Sequence, residues 1–113
     1  MLLLSLGAFT VVALIGLIMA SDVFRKKPTS PIFKVLHVVF VLIGALAAIV
    51  AAFSGDTRVW INIVIALVII GLGALLFAKR SKGEHPKGVV IVHGGLAVTC
   101  YLLLAYFTLF NHA

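Results

Sequence analysis

The chain is poor in nearly everything that a water-soluble protein displays. Of 113 residues, three are acidic and nine basic, against 64% hydrophobic. A soluble domain of this size needs far more polar surface than that. Cys100 is the only cysteine, so no internal disulfide can form, and zinc-type Cys/His spacing is missing. No nucleophile–base set, phosphate loop or carboxylate pair occurs. The sequence therefore argues against a hydrolase, and stand-alone catalysis is not expected. Basic–aromatic interleaving is missing too, so the excess positive charge does not read as a nucleic-acid surface. Pro28, Pro31 and Pro86 all lie between apolar runs and interrupt none of them.

What remains is apolar text. A membrane span needs about 20 mostly apolar residues. Four runs qualify, at 2–21, 32–53, 59–78 and 88–110, and none has a charge near its centre. Period-2 alternation is lacking and Gly and Ala are frequent, which argues against strands. The connections "SDVFRKKPTSP", "SGDTR" and "KRSKGEHPK" are short, so sequence neighbours are expected to be antiparallel neighbours. The expected fold is all-α: a four-transmembrane-helix up-down-up-down bundle forming one membrane domain over 1–113.

Charge placement predicts orientation. Arg25, Lys26, Lys27 and Lys34 flank the first loop; Lys79, Arg80, Lys82 and Lys87 flank the third; the second holds only Arg58. Positively charged loops stay on the cytoplasmic side. Loops one and three are expected there, near anionic headgroups, with both termini outside. The expected location is the bacterial inner membrane. The first run lacks a positive segment before it, and "RKK" follows it, so it reads as a permanent span rather than a cleaved leader.

A repeat lies within the apolar runs. "IGL" occurs at 15–17 and 70–72. At the same spacing Arg25 matches Arg80, Lys27 matches Lys82 and Pro31 matches Pro86; one residue later in register, His37 matches His93. Two copies of a helical hairpin are expected, at 1–53 and 59–110, related by an axis along the membrane normal. Helices two and four would then be diagonal partners.

His37 and His93 are the outstanding residues. An ionisable side chain inside the membrane is costly and is a functional hypothesis by default. Both lie about six residues from their helix centres on the same side, or roughly 9 Å at 1.5 Å per residue. A bare metal site usually wants three or four ligands, which one chain does not supply at this depth. A haem needs only two axial ligands from opposite sides. The paired histidines in four spans resemble four-helix membrane b-type cytochromes. That resemblance is one of architecture. Haem b is expected between His37 and His93, with Gly44 and Ala97 on the same helix faces as the histidines and Gly94 beside the second. Its propionates are expected to pair with Lys34, Lys87, Arg25 or Arg80 at the basic end, and the expected role is electron relay, haem handling or redox sensing. The haem is expected to be b-type because no C-x-x-C-H attachment motif is present.

Two other classes compete. A cofactor-free accessory or assembly subunit of a larger membrane complex would not need histidines at matched depth. The expected partners are the lipid bilayer and a redox partner or larger membrane complex, and assembly as a homo-oligomer is compatible with either class. The length and four spans also resemble small multidrug-resistance transporters, which rely on a glutamate within the first helix. Here that helix has no acid before Asp22, and Glu84, the only glutamate, lies in a loop.

Several residues carry expectations about packing. Ala13, Gly16 and Ala20, and likewise Gly71, Ala74 and Ala78, form small stripes suited to close helix approach. Trp60 reads as an interface anchor and Asp56–Arg58 as a weak exposed pair. The Tyr101 hydroxyl, near mid-membrane, needs a partner inside the protein. His85 and His112 read as solvated.

Overall fold

The computed structural model describes residues 1–110, which leaves His112 outside the described residues. Four long helices account for most of it: α1 (Leu2–Phe24), α2 (Pro31–Phe53), α3 (Trp60–Ser81) and α4 (Lys87–Leu109). A 3-10 turn, Thr57–Val59, leads into α3. No strand occurs among the described residues. Each long helix has the length and apolarity to cross a membrane. At 1.5 Å per residue, 22 or 23 residues reach about 33–35 Å, slightly more than the ~30 Å hydrocarbon core. The chain is an integral membrane protein by this measure.

Local chemistry sets the boundaries. Pro31 opens α2 at a position where its missing N–H costs nothing, after the extended Ser30. The turns after α1 and α3 close in the same manner. Lys27 N–H donates to the Asp22 carbonyl and Glu84 N–H to the Lys79 carbonyl. The residue in the left-handed conformation is Lys26 (φ 56°) in the first turn and Gly83 (φ 78°) in the second.

α1 packs against α2 and α4. α3 packs against α4 and, more lightly, α2, while α2 and α4 make no close backbone contact. Burial is concentrated in the first hairpin, where Ala47, Ala48, Ala51 and Ala52 form the inner face of α2. Ala48 and Ala52 join Val59 beneath the turn between α2 and α3, with Leu2 and Ile63 against them. Of α3, only Asn62 is buried.

The small-residue stripes differ from the sequence expectation. Gly71, Ala74 and Ala78 are exposed, on the same broad face as Leu67, Val68 and Leu75. Ala13 is exposed as well. Helices apolar on every side give no signal of which face turns inward, and packing chose other residues. Gly73, not Gly71, meets a neighbouring helix.

Candidate functional site

Each histidine is seated in a notch on the preceding helix. A Cβ placed on Gly16 would lie 3.3 Å from His37 Cε1; one on Gly73 would lie 3.2 Å from His93 Cε1. Glycine at these points lets an imidazole lie against helix backbone. His93 Nδ1 is 3.0 Å from the carbonyl oxygen of Ile69, one helical turn before Gly73. A carbonyl can only accept, so Nδ1 of the neutral ring carries the proton and Nε2 keeps a lone pair. His37 faces the carbonyl of Val12, one turn before Gly16, in the same sense. No hydrogen bond closes there, and its Nδ1 is buried without a partner. Nε2 of neither ring has a hydrogen-bond partner among the described residues. Both rings are half-buried.

The polar ties farther along the helices follow the same plan. Ser5 Oγ donates to the Gly44 carbonyl at 2.8 Å, joining α1 to α2. Asn62 Nδ2 donates to the Cys100 carbonyl at 2.9 Å, joining α3 to α4. Asn62 stands 57 residues after Ser5, Ile69 after Val12 and Gly73 after Gly16; Cys100 stands 56 after Gly44, as His93 does after His37. At the basic end two cation–ring contacts also join helices, though their members stand 53 residues apart, outside that register. Lys34 of α2 lies 5.7 Å from the Phe77 ring centre of α3, and Lys87 of α4 lies 5.9 Å from that of Phe24 in α1. Ser5 and Asn62 carried no signal in an apolar run beyond being polar. Their roles show only when the partner carbonyls are in place.

The remaining predicted site residues are distributed unevenly. Gly44 is buried, and a Cβ there would strike the Phe9 ring at 2.8 Å, so Phe9 fills the space beside it. Gly94 and Ala97 are half-buried on α4, and nothing lies within 4 Å of where a Gly94 Cβ would be. Arg25 pairs with Asp22 at 3.4 Å. Arg80 bridges the two basic loops, donating to the Lys27 carbonyl and to Thr29 Oγ1 (2.9 Å) in the first, and to the Glu84 carbonyl (3.3 Å) in its own. Its Nη1 also lies 2.7 Å from His85 Nδ1. His85 is thus half-buried and bonded, where the sequence reading expected a solvated residue. Lys34 and Lys87 have no carboxylate partner among the described residues.

Tyr101 finds its partner in Thr10, with 2.7 Å between the hydroxyl oxygens. Thr10 donates its own proton to the Leu6 carbonyl at 2.8 Å, so Tyr101 is the donor. In the turn between α2 and α3, Arg58 holds both Asp56 oxygens at 3.0 Å and reaches the Phe107 carbonyl at 3.3 Å. The Arg58 hydrogen bond holds the Asp56 carboxyl below its ordinary range. Trp60 is partly exposed and meets Phe53 edge-on at 5.1 Å. No group of three or more His, Cys, Asp or Glu side chains suited to a metal ion occurs among the described residues. No protein-family model, characterised protein or solved structure matches this chain.

Proposed function

We propose that this is a small membrane b-type haem protein in which His37 and His93 ligate one iron across an up-down-up-down bundle of two hairpin copies. One observation carries the reading: both imidazoles occupy the same glycine notch, with Nδ1 toward a backbone carbonyl and Nε2 without a protein partner. Metal-bound histidines commonly donate the other ring N–H to a carbonyl, which fixes tautomer and orientation. The Ser5 and Asn62 ties, in the same register as the histidines and their glycines, favour a duplication, and a duplication favours a shared role for the two rings. The two-ligand demand of haem suits the pair, whereas a bare ion would want more ligands.

In this reading Ile69 orients His93, and Val12 is positioned to do the same for His37 once the ring turns. Gly16 and Gly73 keep the rings against backbone, and the apolar helices exclude water. Lys34 and Lys87 are the cations left for propionates, since Arg25 and Arg80 are engaged elsewhere. Bound haem would supply one-electron transfer; the protein would set its potential through burial and these hydrogen bonds. With one haem in one leaflet, the roles that fit are relay to a redox partner, haem handling or redox sensing. Eight of nine basic residues at one end favour placing loops one and three in the cytoplasm of a bacterial inner membrane, with both termini outside.

The test is the absorption spectrum of protein purified from haem-replete cells. A Soret band is expected, removed or strongly weakened by His37→Ala and by His93→Ala and kept by His85→Ala. Wild-type protein without Soret absorption would overturn the reading and favour a cofactor-free accessory subunit.

A further inference from the structure

We infer that the basic end of the bundle holds a specific site for the phosphate group of an anionic phospholipid. The two basic loops enclose an open basin of about 320 Å³, lined by Lys26, Thr29, Lys34, Arg80 and His85 among others. That volume is at the small end of ligand clefts of roughly 300–1,000 Å³, enough for a headgroup whose tails lie outside. Lys34 is in the first turn of α2 and Arg80 in the last turn of α3, so the basin sits where the apolar spans end.

Its charge has no internal counter-ion. The chain has three acidic side chains, and all three are committed: Asp22 to Arg25, Asp56 to Arg58, Glu84 to Lys79. None lines the basin. Among the described residues Arg80 is bonded there only to neutral groups, two carbonyls, a hydroxyl and an imidazole. Because Arg80 can only donate, His85 accepts at Nδ1 and carries its own proton on Nε2. The Thr29 oxygen accepts from Arg80, leaving its hydroxyl proton to donate. The basin thus offers donors and positive charge, which suits a phosphate oxygen set.

Lys26 adds an independent indication. It takes the left-handed conformation at the end of α1, where the equivalent turn after α3 uses Gly83. Glycine is the favoured residue for such a helix stop and a lysine there is disfavoured. The strained lysine places a cation on the basin rim, and residues held against local preference cluster at functional sites.

The site does not need haem, but it shares Lys34 with the propionate reading, so it is tested on the full chain isolated without haem. Native mass spectrometry from detergent would compare phosphatidylglycerol with phosphatidylcholine of the same tails. Phosphatidylglycerol should be retained preferentially. The K26G/K34Q pair should bind it about 30-fold more weakly, each surface cation contributing about fivefold. The charge-matched pair K27Q/K82Q, whose side chains do not line the basin, should keep the preference. K26G alone should raise the melting temperature while lowering lipid retention, an opposition that a merely structural lysine would not produce. Equal loss in the two charge-matched pairs would reduce the effect to diffuse attraction and overturn the site. Inorganic phosphate stabilising the protein in phosphatidylcholine micelles as strongly as phosphatidylglycerol does would overturn the lipid as its source.

Discussion

The first hairpin and the second solve the same problem with different materials. α1 and α2 meet closely: Gly44 is buried under Phe9, four alanines of α2 are buried, and Ser5 reaches a backbone carbonyl with the shortest of polar side chains. In α3 and α4 the corresponding positions hold Cys100 and Asn62, which are larger, and Asn62 alone is buried on α3. Dispersion between small residues at short range holds membrane helices together. The first hairpin uses that; the second relies more on a longer hydrogen-bonding arm. Yet the histidine notch is alike in both. The seat of the imidazole therefore does not follow from how tightly the hairpin packs.

The largest expected effect exploits this difference. Gly44→Leu forces a side chain into the Phe9 ring and should destabilise by about 1–3 kcal/mol or more, as overpacked cores do. Cys100→Leu, at the matching place, loses only the two long 3.5 Å sulfur contacts with Asn62, and the Asn62 bond to the Cys100 carbonyl survives it. Its cost should be clearly smaller. Unfolding in mixed detergent micelles measures both, and equal costs would dissolve the contrast between the hairpins.

A subtler pair addresses the notch. Gly16→Ala and Gly73→Ala each gain about 1 kcal/mol of helix propensity, offset by the few tenths of an ångström that the imidazole must give. Gly73→Ala also strains the bond to Ile69, worth about 0.5–1.5 kcal/mol. Global stability should barely change in either. The ¹⁵N shifts of the His93 ring should move in Gly73→Ala, reporting a weaker Nδ1–H bond. Gly16→Ala should alter His37 less, since no closed bond is lost there.

Much of this was legible in the sequence, and the limit has a physical cause. Four spans, a basic end and two histidines at one depth follow from composition and position. Tyr101's need for a partner and the Asp56–Arg58 pair were readable for the same reason: polar groups at defined depths have few options. The rotation of each helix was not readable, because a helix apolar all round has no marked face. "IGL" aligned Gly16 with Gly71, whereas contacts align Gly16 with Gly73. The Arg80 bridge was hidden too, since it depends on two loops distant in sequence arriving side by side.

The smallest effect belongs to the turn between α2 and α3. Asp56 is held below the usual carboxylate range by Arg58, so its contribution is present above the ordinary carboxylate pKa and is lost only as pH falls through the lower folded value. Asp56→Asn should therefore leave neutral-pH stability nearly unchanged, because the pair faces solvent. Its difference from wild type should vanish in acid melts below that range. A large loss at neutral pH would show that Arg58's grip on the Phe107 carbonyl depends on Asp56.

Two arginines close the molecule at opposite surfaces. Arg80 pins the basic loops together, and Arg58 pins the turn between α2 and α3 to the end of α4. Between these clamps the helices meet through small side chains and single hydrogen bonds. The clamps are independent of each other, so releasing one leaves the loops at the far end of the bundle still held.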